Sequence, residues 1–150
     1  DPAMGTIFFD MDGDGDQDLF ALNDGASNAL FENNGQGVFE DISEGSGLNF
    51  FCFCMGVDYA DYDLDGDYDL YISNYGQNFL MENNGDGTFS DKAAELVLDD
   101  NGMGWGTFWL DYDNDGDLDL FLSGLTDVTY FRLILFVPFW AVHTILQNVL

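Results

Sequence analysis

The sequence predicts an all-β repeat protein, and three observations carry that prediction. A nine-residue acidic segment occurs three times, its starts 51 and 50 residues apart: DMDGDGDQD (Asp10 to Asp18), DYDLDGDYD (Asp61 to Asp69) and DYDNDGDLD (Asp111 to Asp119). Short runs of alternating apolar residues flank each copy, with the two-residue period of a half-buried strand. Helix signals are weak: the best, DKAAELVL (91–98), suffices for a turn or two.

Each element of the repeat has a reason. Gly5, Gly56 and Gly106 stand five residues before the first Asp of a segment, and apolar-rich runs (TIFF, VDYA and TFWL) fill the gap as a first strand. The acidic segment follows as a loop. After it come LFALN, LYISN and LFLSG, alternating runs that predict a second strand. NALFENNGQGVFED (28–41) then matches NFLMENNGDGTFSD (78–91) almost residue for residue. Two alternating runs around Asn-Gly and a second Gly read as a β-hairpin, since these residues accept the positive φ of a tight turn. Four short strands in about 50 residues is the size of one propeller blade. The expected blades cover about 3–52, 53–102 and 103–124 onward, within a repeat domain at 1–124.

The charge balance excludes several function classes. Twenty-nine acidic residues face two fixed cations, Lys92 and Arg132, for a formal net charge of −27. A hydrophobic content of 47% and an aromatic content of 17% argue against an acidic disordered chain. Without a basic footprint, nucleic acid is excluded as a main partner, and anionic lipid is a poor one. So many carboxylates call for a counter-charge that the sequence does not encode.

Asp occupies the first, third, fifth, seventh and ninth places of each segment and Gly the sixth (Gly15, Gly66, Gly116). In an empty loop, each close carboxylate pair about 5 Å apart costs on the order of 3 kcal/mol at an effective dielectric of about 20. A divalent cation turns that repulsion into attraction. Hard oxygen donors with no His or Cys select Ca²⁺ or Mg²⁺, and many protein oxygens on one flexible loop favour Ca²⁺. An EF-hand is rejected: its twelfth-place Glu is replaced by Ala21, Ile72 and Leu122, and the flanks alternate like strands. A merely solvated acidic turn would explain one loop but not three in register.

The Gly-plus-apolar strand, the DxDxDGxxD loop, the DL-apolar-x-x-N run and L-F-x-N-N-G-x-G-x-F together resemble FG-GAP/VCBS repeats. Such repeats occur in integrin α-subunit propellers and in many secreted bacterial and cartilage-acidic-protein-like chains. The resemblance spans roughly residues 3–124. It implies propeller blades, each with Ca²⁺ in the loop between its first two strands, hence three sites. By position, the ligands implied are the side chains of Asp10, Asp12, Asp14 and Asp18 with the carbonyl of Asp16. The second loop supplies Asp61, Asp63, Asp65 and Asp69 with the carbonyl of Asp67, and the third Asp111, Asp113, Asp115 and Asp119 with the carbonyl of Asp117. The seventh-place side chains (Asp16, Asp67, Asp117) are the least tied to an ion and are free to face water.

The pattern breaks after Gly124. Residues 125–150 lack the third NNG turn, and no acidic residue follows Asp127. A membrane-spanning helix has the length, but Arg132, Pro138, His143, Gln147 and Asn148 interrupt it. A truncated or foreign end is a second reading. Strands on either side of Pro138 are the favoured one, completing the third blade or adding to a neighbouring subunit. Three blades are too few to close a ring. Self-association is therefore expected, as two copies in a six-bladed ring or as a head-to-tail filament.

Cys52 and Cys54 lie two apart on a predicted strand and share a face. Buried free thiols are expected, with a bond to another chain as the sharper alternative. His143 reads as a core or interface residue. No catalytic triad, phosphate loop or N-glycosylation sequon is present, and no enzymatic activity is expected. Trp105, Trp109 and Trp140 read first as core, with sugar stacking as the alternative. An N-terminus at Asp1 fits a mature or trimmed chain. Loops of this type fill where calcium is millimolar, which points outside the cell. The expected function is an extracellular Ca²⁺-binding repeat protein with a structural or adhesive role. The alternative is a carbohydrate- or protein-binding module of a larger secreted enzyme or receptor.

Overall fold

A computed structural model describes residues 3–125, 129–137 and 141–148 of the chain, with side chains to residue 124. The described residues form strands, turns and loops, with no helix. The first unit comprises β1 (Ala3–Phe9), β2 (Asp18–Ser27), β3 (Ala29–Asn33) and β4 (Phe39–Asp41). The second comprises β5 (Phe51–Ala60), β6 (Asp69–Gln77), β7 (Phe79–Asn83) and β8 (Phe89–Asp91). The third comprises β9 (Asn101–Leu110), β10 (Asp119–Leu125), β11 (Thr129–Val137) and β12 (Ala141–Asn148). Within each unit, consecutive strands pair antiparallel, the four-stranded meander of a propeller-type blade. The segment 91–98 is a single turn, closed by the Leu98 N–H on the Ala93 carbonyl at 2.7 Å.

β11 and β12 continue the sheet from β10. The side chains of Arg132, Trp140 and His143, and the backbone at 126–128 and 138–140, lie outside the described residues. No helix among the described residues is long and apolar enough to cross a membrane.

The first two strands of the second unit are long because each pairs within its own unit and also with a strand of an adjoining unit. The bulge between Asp24 and Ala26 bends β2, and its end pairs with the start of β5 (Asp24 with Phe53, Ser27 with Phe51). β5 bends in turn between Cys54 and Gly56 before pairing with β6. The end of β6 pairs with the start of β9 through Tyr75–Met103 and Gln77–Asn101. A bulge raises local twist and re-aims the strand, so one continuous strand can leave one unit and enter the next. The strand path runs from β12 to β4 and does not close on itself.

The core sits between units. Phe9, Phe20, Leu22, Leu30, Leu70, Ile72 and Phe89 form one cluster, joining units one and two. Tyr71, Leu80, Leu98, Leu120 and Leu122 form a second, joining units two and three. β6 contributes to both clusters because alternate residues point to opposite faces. It is consequently buried without a break from Asp69 to Asn74, whereas β2 alternates between buried and half-buried positions. Each large apolar side chain buried in this way contributes about 1.5–3 kcal/mol. Close approach of the units also explains Gly56: a Cβ there would lie 2.4 Å from the Trp105 carbonyl oxygen of β9.

Cys52 and Cys54 are both buried on one face, and the structure joins them in a disulfide. The expectation of free thiols is thereby corrected. A fully extended strand separates residues i and i+2 by about 6.6–6.8 Å. Here, at the approach to the β5 bulge, the two Cα atoms lie 5.2 Å apart, inside the range a disulfide spans.

Candidate functional site

All three acidic segments form loops between the first and second strands of their units. Each loop is folded by its own carboxylates. Asp10 accepts the N–H groups of Gly13 (2.9 Å) and Gly15 (3.1 Å), Asp12 accepts that of Asp14 (3.1 Å), and Asp14 that of Asp16 (2.9 Å). The second loop repeats the pattern: Asp61 takes Gly66 at 3.2 Å, Asp63 takes Asp65 at 3.2 Å, and Asp65 takes Asp67 at 2.9 Å. In the third, Asp111 takes Asp115 (3.1 Å) and Gly116 (3.2 Å), and Asp115 takes Asp117 (3.0 Å). Asp side chains bond readily to backbone N–H groups two or more residues ahead, so this spacing curls the chain locally. Glycine at the sixth place supplies the positive φ that the curl demands, 95° at Gly15 and 102° at Gly66.

The ninth-place Asp of each loop is a buried latch. Asp18 accepts from Met11 N and Asn33 N, both at 2.8 Å. Asp69 accepts from Tyr62 N (3.3 Å) and Asn83 N (2.9 Å), and Asp119 from Tyr112 N (2.7 Å). One carboxylate thus ties the loop's second residue to the hairpin of the same unit in the first two copies. Asn33 and Asn83, the first Asn of each NNG turn, were not among the predicted site residues. Their signal is positional: they recur 15 and 14 residues after the ninth-place Asp, a spacing that matters only once the hairpin folds back.

The structure brings together carboxylate oxygens of Asp10, Asp12 and Asp18, of Asp61, Asp63 and Asp69, and of Asp111, Asp113 and Asp115, each set within 4.8 Å of one another. Asp14, Asp65 and Asp119 lie on the same loops but outside these triads. Asp16, Asp67 and Asp117 are half-buried. Asp16 and Asp67 lean over the NNG turns, where a Cβ on Gly35 or Gly85 would stand 3.0 and 2.9 Å from their Oδ2 atoms.

The loops' electrostatics are unbalanced. Burial pushes the carboxyls of Asp18, Asp63 and Asp119 above their ordinary range, and Asp69 up to about 7 against the pull of its two N–H donors. Lys92 pairs with Glu82 (3.6 Å) and Glu95 (3.9 Å), not with a loop Asp. Asp61 Oδ1 and Asp16 Oδ1 are buried with no hydrogen-bond partner among the described residues. An all-oxygen donor set, an orphaned buried oxygen and no fixed counter-cation among the described residues suit a hard divalent ion.

Aromatic residues divide between core and surface. Trp109 stacks on Tyr62 of the preceding unit's loop (6.4 Å, 16°), and its backbone N–H donates to Asp58 Oδ2 at 2.9 Å. Tyr62 donates to Glu82 at 2.5 Å. Trp105 is 45% exposed.

No curated protein matches the chain significantly. A family model for the FG-GAP-like repeat matches it twice, over residues 10–72 and 61–122. Each match opens on the first Asp of one acidic loop and runs through the next loop into the strand beyond it. The chain belongs to the FG-GAP-like repeat family.

Proposed function

We propose that this repeat domain is extracellular, is stabilised by Ca²⁺ in its acidic loops, and serves a structural or adhesive role without catalysis. The observation that carries the reading is the second loop. There Asp61, Asp63 and Asp69 converge, Asp61 Oδ1 is buried and unpartnered, and no cation of the protein faces them among the described residues. Asp10, Asp12 and Asp18, and Asp111, Asp113 and Asp115, would hold the ion in the other loops. The bound ion supplies positive charge; the chain's own contribution is to pre-curl each loop through its Asp–N–H bonds. FG-GAP-like repeats are typical of extracellular proteins, and millimolar calcium there suits loops of modest affinity. At a Ca²⁺ concentration 100-fold above its Kd, each site would stabilise the fold by about 2.7 kcal/mol. EDTA should therefore lower the thermal midpoint by several degrees, and added Ca²⁺ should restore it. An unchanged midpoint would sink the proposal.

Self-association is part of the same reading. Met4, Phe8, Val38 and Phe39 of the first unit are 41–61% exposed, an apolar surface of the kind that seeks a partner. Light scattering with Ca²⁺ present should give a mass above the monomer's. A ligand-binding role is the second reading, favoured by the exposure of Trp105. Sugar-array binding that disappears in Trp105→Ala would move the assignment to that reading.

A further inference from the structure

We propose that Asn83 couples the first acidic loop to the second, so that Ca²⁺ bound in either loop raises the affinity of the other. The inference rests on the reading of these loops as Ca²⁺ sites. Asn83 is the one NNG-turn Asn seen to reach across a unit boundary among the described residues. Its backbone N–H is held by Asp69 Oδ1 of the second loop at 2.9 Å. Its side-chain Nδ2 donates at 2.8 Å to the carbonyl of Met11, the second residue of the first loop. Met11 in turn donates its N–H at 2.8 Å to Asp18 Oδ2, the latch of that first loop. An unbroken chain of hydrogen bonds therefore runs from the ninth-place Asp of one loop to the ninth-place Asp of the other.

Every link is shielded from water. Asp18, Asp69, Asn83 and Met11 are each 1–4% exposed. In such a setting hydrogen bonds are strong, and a donor left without its acceptor is costly, so the chain is either made or broken as a whole. Ordering the second loop around an ion fixes Asp69 and with it Asn83. That pins the Met11 peptide and pre-orders the first loop, which then loses less conformational entropy on binding. Linkage requires the reverse effect to be equal. Asn33, at the same place in the first unit, is the internal control. Its Nδ2 donates at 3.2 Å to Gln17 O of its own loop.

The sixth-place glycines report on each loop separately, because the N–H groups of Gly15, Gly66 and Gly116 bond to Asp10, Asp61 and Asp111. Their amide resonances would be followed by NMR during a Ca²⁺ titration of the full chain. Asn83→Ala should weaken the Gly15 midpoint by about fivefold, the lower end of typical coupling between sites. Gly116 should stay unmoved, and Asn33→Ala should leave Gly66 unmoved. General destabilisation would shift all three glycines together and would overturn the proposal. Asp61→Asn, which disables the second loop, should likewise weaken the Gly15 midpoint, and no longer do so in the Asn83→Ala background. A Gly15 midpoint indifferent to Asp61→Asn also overturns the coupling, and this arm decides alone if Asn83→Ala does not fold. If no glycine amide of the unmodified protein responds to Ca²⁺, the metal reading itself fails and the coupling with it.

Discussion

The hairpins at 28–41 and 78–91 are nearly the same sequence at the same place in their units, yet Phe39 is 41% exposed and Phe89 only 5%. The difference comes from the neighbour. Phe89 donates its N–H to Ser46 O at 2.7 Å, and its ring meets Phe9 of the first unit edge-on at 6.5 Å. Phe39 meets Phe8 of its own unit. Burial in this repeat is conferred by the adjacent unit, as expected where stacked neighbours complete one another's core. Small substitutions follow the same division. Gly47, at φ 84°, leaves no room for a Cβ, which would lie 2.3 Å from the Phe89 carbonyl oxygen. Its counterpart fifty residues on is Val97, at φ 60° and 65% exposed. Leu30 N–H is taken by Ser43 Oγ at 2.9 Å; in the second unit Ala93 replaces that serine, and Asp91 takes Leu80 N–H at 3.3 Å.

The comparison is broken most severely at Phe89. Phe89→Ala should cost about 3–5 kcal/mol of stability, by cavity formation at the first interface. Phe39→Ala should stay within about 0.5 kcal/mol, as for an exposed site. Equal costs in urea denaturation would mean that the two hairpins are equivalently covered in solution. Gly47→Val ranks next, at about 3 kcal/mol, from left-handed strain together with a backbone collision that no rotamer relieves. A smaller effect, of opposite sign, sharpens the contrast. Val97→Gly should stabilise by about 0.5–1 kcal/mol, since the relief of a β-branched residue at positive φ exceeds the added freedom of the unfolded chain. A loss of stability there would show that Val97 is packed rather than strained.

Much of the candidate site was legible because it is local. The alternation of Asp with other residues and the glycine at the sixth place describe a loop whose hydrogen bonds span seven residues or fewer, so spacing alone foretells its shape. The latch was half legible. Asp18 and Asp69 stood in the motif, but the Asn33 and Asn83 N–H groups that they hold come from the hairpin. The cysteine pair was misjudged because an ideal strand holds such residues at the far edge of the range a disulfide spans, and the bulge that contracts β5 arises from pairing with two different partners. The surroundings of Asp16 and Asp67 were illegible for a related reason: the NNG turns they lean over are distant in sequence.

By itself the sequence determined the strands, the three loops and the fifty-residue period, because each follows from the two-residue alternation of side chains and from the φ that glycine permits. Only the tertiary structure decided which faces are covered. Phe39 and Phe89, Gly47 and Val97, Asn33 and Asn83 are matched pairs in the chain and unlike in the fold. Covering a face takes atoms from another unit, and no local pattern records whether that unit is there.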